Sequence, residues 1–174
     1  IRDLHYLLLA GRLEPAIVLN FLTAYRNEEA YVVWVEITAV ISTLRKILYG
    51  TASYPLFETY VQACIGPLFK KLGYVKIIGE SNLDVLLRGM ILSLSSLYNL
   101  PTARAQAVTL FKERAAKPLN PDVRSFVYST LGRIGKKSDY ETLLVLFKKE
   151  ELHEEKNRLL AGLCMFSNPV LLKK

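Results

Sequence analysis

Apolar residues recur at helical spacing from one end of this 174-residue chain to the other, and that period leaves little room for a sheet. Trp34, Ile37, Ile41, Leu44 and Leu48 fall on one face of a 3.6-residue repeat. Leu83, Leu87, Met90, Leu94 and Leu97 do the same, as do Val123, Phe126, Val127, Leu131 and Ile134. Each run predicts an amphipathic helix with that stripe turned to a core.

The residues between the runs agree. Ser81-x-x-Asp84 and Ser138-x-x-Glu141 read as capping boxes, in which a hydroxyl accepts an orphan N–H and the acid reaches back to the cap. Asn120-Pro121 and Asn168-Pro169 put a cap residue before a proline, whose missing N–H costs nothing at the first helical position. Thr102 is expected to cap the helix after Pro101, and Gly50, Gly73 and Gly135 to stop helices. Helices are therefore predicted near 1–10, 14–25, 30–48, 53–72, 82–98, 102–116, 121–134, 138–149 and 154–166, with another beginning at the end. Short loops imply antiparallel αα-hairpins. Hairpins of about 40 residues match the period of a HEAT-like α-solenoid. The expected fold is all-α, one domain over 1–174, and a solenoid is favoured over a bundle because the apolar content of 51% suits a cut array that exposes the core face of its terminal repeat.

Composition removes several functions. A membrane span needs about 18–20 apolar residues, and the longest uncharged stretch, 89–103, contains Asn99 and Pro101. The net charge of +7 is lopsided: residues 1–87 hold eight basic and eight acidic side chains, whereas 88–174 hold fifteen and eight. Nucleic-acid binding would need a continuous basic stripe with interleaved aromatics. Lys70-Lys71, Lys136-Lys137, Lys148-Lys149 and Lys173-Lys174 fall mostly near helix ends, where cations complement the dipole, so no nucleic-acid partner is assigned. Cys64 and Cys164 sit in apolar patterns and are expected to be buried free thiols. The chain starts inside an apolar pattern and stops after a helix-start signal, so both ends read as cuts.

No catalytic constellation emerges. His153-Glu154-Glu155-Lys156-Asn157 has asparagine where a zinc-protease helix needs its second histidine, and the other histidine, His5, is far away in sequence. The segment reads as a polar helix start. Gly132-x-x-Gly135 lacks the lysine and preceding strand of a phosphate loop. No catalytic, cofactor-binding or metal residue is assigned. Arg88 and Arg124 stand apart, because each lies inside an amphipathic helix beside apolar positions. Either the stem covers apolar surface while the head pairs with a nearby acid, or the guanidinium faces a ligand carboxylate or partner domain as a concave-face or interdomain contact.

Five segments, in order, carry a family likeness. Asp3 to Gly11 resembles a "D-x-x-x-L-x-x-x-G" opening, and Glu28-x-x-Tyr31-x-x-Trp34 an "E-x-x-Y-x-x-W" entry. Leu86-Leu87-Arg88, Pro121-x-x-Arg124-x-x-Val127-Tyr128 and Glu154-Glu155-Lys156-x-Arg158-Leu159-Leu160 follow. Together they resemble the first half of the C-terminal helical domain of zinc aminopeptidases related to aminopeptidase N, nearest to the puromycin-sensitive branch. The resemblance implies a noncatalytic helical bowl that caps a catalytic domain of the same chain and encloses peptide substrates. Zinc would belong to that parent enzyme, not to this segment. In the family resembled, ectoenzyme and endoplasmic-reticulum members usually carry a disulfide pair at the positions held here by Ser96 and Ala103, and no glycosylation sequon is present. Both features lean towards a cytoplasmic parent, with an extracellular or membrane-anchored ectodomain as the alternative. An independent HEAT-like scaffold that binds a protein partner is the competing functional reading.

Overall fold

The proline and asparagine signals set most helix starts where the sequence puts them. The structure, a computed structural model, describes residues 1–172, so the lysine pair at 173–174 lies outside the described residues. The helices are α1 (Arg2–Leu9), α2 (Pro15–Leu22), α3 (Tyr31–Leu48), α4 (Tyr54–Leu72), α5 (Asn82–Leu97), α6 (Pro101–Glu113), α7 (Pro121–Ile134), α8 (Lys137–Lys149), α9 (His153–Leu163) and α10 (Pro169–Leu172). A 3-10 turn, Thr23–Tyr25, prolongs α2. Among the described residues there is no strand, and the fold class is all-α.

Caps form as expected in three places. Asn120 Oδ1 accepts the Asp122 N–H at 2.9 Å, and Asn168 Oδ1 accepts that of Val170 at 3.0 Å. Ser81 Oγ accepts the Asp84 N–H at 3.2 Å and donates to the Asp84 carboxylate at 2.7 Å, so the acid holds the cap hydroxyl. Two starts differ. Helix α8 begins at Lys137, which places Ser138 inside its first turn. The Lys136 N–H donates to Asp139 at 2.8 Å, and Glu141 instead pairs with Lys137 at 3.7 Å. Asp139 is one helical turn from Lys136 and wins the reach-back role by position. Likewise α6 begins at Pro101, so Thr102 lies within the helix and not at its cap.

The chain divides into two compact units, Ile1–Ile91 and Leu92–Lys174, with the boundary inside α5. In the first unit four members of the expected α3 stripe are buried: Trp34, Ile37, Ile41 and Leu44, joined by Val40, form its core with Phe57, Val61 and Ile65 of α4, while Leu48 at the helix end is half-buried. Each such side chain contributes about 1.5–3 kcal/mol. Helices α1 and α3 run in the same direction: Arg2 pairs with Glu36, and His5 Nε2 lies 2.8 Å from Thr43 Oγ1. Tyr60 Oη donates to the Leu19 carbonyl at 2.7 Å and ties α4 to α2. Leu83 departs from its expected core role and is exposed at the start of α5, while Leu87 and Leu94 are buried.

In the second unit α7 and α9 also run in the same direction, with α8 as the return between them. Arg124 near the start of α7 meets Glu155 near the start of α9, and Gly132 near the end of α7 meets Gly162 near the end of α9. The glycines make that approach possible. A Cβ on Gly132 would lie 2.1 Å from the Gly162 carbonyl oxygen, and one on Gly162 would lie 2.8 Å from the Tyr128 Cβ. Gly135 ends α7 without left-handed backbone (φ −71°); a Cβ there would strike the Leu131 carbonyl at 2.4 Å. Cys64 is half-buried, whereas Cys164 is exposed, contrary to expectation. It occupies the C-cap of α9, where Leu163 and Phe166 on either side take the inward positions.

These distances predict opposite outcomes for two alanines. Gly162→Ala should destabilise the chain by about 2–3 kcal/mol, because backbone must move. Gly89→Ala, in α5 with nothing within 4 Å of the new Cβ, should be neutral or stabilise by up to about 1 kcal/mol. Urea denaturation of the two variants checks this.

Candidate functional site

Arg88 and Arg124, the two arginines singled out by sequence, each sit at the centre of a polar cluster, in different units. Arg88 is 4% exposed. Its Nε donates to the Leu72 carbonyl at 3.0 Å, at the end of α4. Its two terminal nitrogens grip both oxygens of Glu80, one at 2.6 Å. Glu80 also accepts the Ile77 N–H at 3.3 Å. The Arg88 hydrogen bonds hold the Glu80 carboxyl below its ordinary range. Arg88 thus clamps the α4–α5 connection, and it lines an open cleft of about 440 Å³ shared with Leu68, Leu87, Ile77 and Ile78. The Lys71–Glu29 ion pair, 2.5 Å, stands on the rim.

Arg124 donates through Nε to the Leu119 carbonyl at 3.1 Å and faces Glu155 at 3.2 Å. Glu155 is the residue that sequence reasoning missed. Read as part of a solvated helix start, it is instead 3% exposed. Tyr128 Oη donates to its Oε1 at 2.8 Å, and Arg158 Nη1 to its Oε2 at 3.1 Å. Burial alone would raise its pKa; the bonds from Tyr128, Arg158 and Arg124 outweigh that and hold it below the usual value. Burial and the bond to Glu155 push the Tyr128 phenol up in turn. The i, i+3 spacing of Glu155 and Arg158 was a visible signal, but nothing in sequence says that α7 lies against it.

The other likeness segments also end in structural contacts. The Trp34 indole donates to the Glu28 carbonyl at 2.8 Å, while the Glu28 carboxylate accepts the N–H groups of Glu29 and Ala30. Gly11 turns the chain after α1 with φ +66°. Lys70, Lys71, Lys148 and Lys149 are exposed in last turns, as expected. Lys137 is in a first turn. Among the described residues no three His, Cys, Asp or Glu side chains gather in a way that could hold a metal ion. Among the described residues no single helix is long and apolar enough to cross a membrane.

The sign of the Glu155 shift fixes a pH dependence. A carboxyl depressed in the folded state stabilises above its unfolded pKa, and that stabilisation is lost as pH falls through the folded value. Glu155→Gln should cost about 2 kcal/mol at pH 7, with the gap to the parent chain closing as pH drops below about 4. Urea midpoints measured from pH 7 down to pH 3 test it.

Comparison with known proteins fits this arrangement. The family described as the ERAP1-like C-terminal domain matches residues 1–174. The chain is 26% identical over 161 residues to aminopeptidase N of Plutella xylostella, covering 91% of this chain and 17% of that protein. It is 31% identical over 184 residues to aminopeptidase M1-B of Oryza sativa, covering 98% and 21%. It is 28% identical over 177 residues to glutamyl aminopeptidase of Bitis rhinoceros, covering 100% and 18%. The chain spans about a fifth of the length of these relatives. A helical chain matched end to end in this way, with its likeness motifs placed at helix contacts, belongs to the ERAP1-like C-terminal domain family.

Proposed function

We propose that this chain is a noncatalytic part of a zinc aminopeptidase, the first half of a C-terminal helical domain that caps the catalytic domain and helps enclose and position peptides. The observation that carries the reading is the family match over the whole chain, set beside relatives called aminopeptidases of which it covers about a fifth. The side-chain chemistry supports it. A hydrolytic zinc needs three protein ligands and an open position. His5 is engaged with Thr43, and His153 stands exposed at the start of α9, so the residues of this chain do not fit that set. In this reading the zinc is held elsewhere in the parent.

Peptide positioning would be steric and electrostatic. The same-direction pairs, α1/α3 within the first unit and α7/α9 within the second, are each what a solenoid layer presents, and the layers of a solenoid form a concave wall. The charge excess of residues 88–174 would draw the carboxylate end of a peptide towards that wall. Arg88 and Arg124 would act by setting the wall's shape at the α4–α5 connection and at the start of α7. Ser96 and Ala103, which stand where ectoenzyme and endoplasmic-reticulum members of the family usually carry a disulfide pair, favour a cytoplasmic parent over an extracellular or membrane-anchored ectodomain.

The isolated chain should bind no stoichiometric zinc and should not hydrolyse an aminoacyl reporter; one tightly bound zinc with turnover would refute the assignment. In the parent enzyme, raising salt should lower kcat/KM for a peptide with a free C-terminal carboxylate, and leave its amidated twin nearly unchanged. Equal salt responses would remove the electrostatic role. A parent coding sequence without an H-E-x-x-H motif would favour a scaffold protein.

A further inference from the structure

The connection between α4 and α5 carries an apolar tip in water. Ile78 is fully exposed (101%), Ile77 is 62% exposed and Val75 48%. Its two ends are fixed by one side chain, since Arg88 holds the Leu72 carbonyl before it and Glu80 after it. Among the described residues, the backbone donors of the segment that find a protein acceptor are three: the Gly73 N–H to the Phe69 carbonyl at 3.0 Å, the Ile77 N–H to the Glu80 carboxylate at 3.3 Å, and the Glu80 N–H to the Ile77 carbonyl at 3.2 Å. Among the described residues, the N–H groups of Tyr74, Val75, Lys76, Ile78 and Gly79 donate to no protein acceptor. A segment with so few internal bonds rearranges at little cost.

Two glycines bracket it. Gly73 has φ +62° and Gly79 φ +84°, and a Cβ at either would meet nothing within 4 Å. Glycine is needed there for backbone freedom, not for space, which makes both natural pivots. Beside the segment lies the cleft of about 440 Å³, bounded by Leu68, Leu72 and Leu87 and by Ile77 and Ile78 themselves.

We propose that residues 73–80 are a lid. Turning at Gly73 and Gly79, with its ends held by Arg88, the segment folds Ile77 and Ile78 into the cleft against Leu68, Leu72 and Leu87. Removal of two isoleucines from water drives closure. The freedom lost by the segment opposes it, so open and closed forms exchange. The lid is a property of the first unit alone and stands whether or not the parent is an aminopeptidase.

The test is methyl NMR on the full 174-residue chain with Ile and Leu methyls labelled, Ile78 being assigned through Ile78→Val. Closure predicts NOEs from the δ1 methyl of Ile78, which stands wholly in water in the open form, to methyls of Leu68, Leu72 or Leu87. It also predicts microsecond-to-millisecond relaxation dispersion confined to the segment and cleft. An Ile78 δ1 methyl at its random-coil shift, with no such NOE and flat dispersion, would overturn the lid. So would NOEs that vanish on dilution, since they would report contact between molecules.

Discussion

A buried carboxylate at the start of α9 constrains the second unit more than any other single group. Glu155 has almost no access to water, so its charge must be met by the protein or the helix cannot dock. Tyr128 and Arg124 supply donors from α7, and Arg158 supplies one from α9 itself. Two of these come from one face of α7, at i and i+4, so the demand of Glu155 fixes both the rotation of α7 and its direction. The glycine contact at the far end then sets how close the two helices lie. Polar matching at one end and backbone proximity at the other leave α7 and α9 one way to pack.

The same logic recurs in the first unit on a smaller scale. Arg88 joins the end of α4 to Glu80, and Trp34 joins α3 to the carbonyl of Glu28. The segments that carry the family likeness therefore converge on helix-to-helix and helix-to-loop contacts. None of them assembles a nucleophile, a general base or a metal. Membership in an aminopeptidase-associated domain family and the absence of reacting groups from these clusters are compatible because the likeness lies in architecture.

Much of the architecture was legible from local chemistry. Proline at first helical positions, asparagine caps and the apolar stripes of α3 and α7 are one-dimensional signals, and they located the helices to within a few residues. The failures were also local in origin. Ser138-x-x-Glu141 has the pattern of a capping box, but Asp139 stands one turn from Lys136 and takes the role. Cys164 followed an apolar run yet fell on the outward side of a helix end. The polar clusters were only half legible. Arg88 and Arg124 stood out as charges in apolar stripes, whereas their partners Glu80 and Glu155 looked like ordinary surface acids. Partner identity depends on which helices touch, and the period of one helix carries no such information. Gly132 and Gly162 were hidden for the same reason: a glycine needed for close approach looks in sequence like any other glycine.

If the likeness motifs hold helices together, two of them in contact are energetically coupled. A double-mutant cycle with Arg124→Met and Glu155→Gln joins the α7 motif to the α9 motif across their contact. The expected coupling free energy is about 1 kcal/mol or more, from urea denaturation at pH 7. Additive effects, with a coupling near zero, would contradict it.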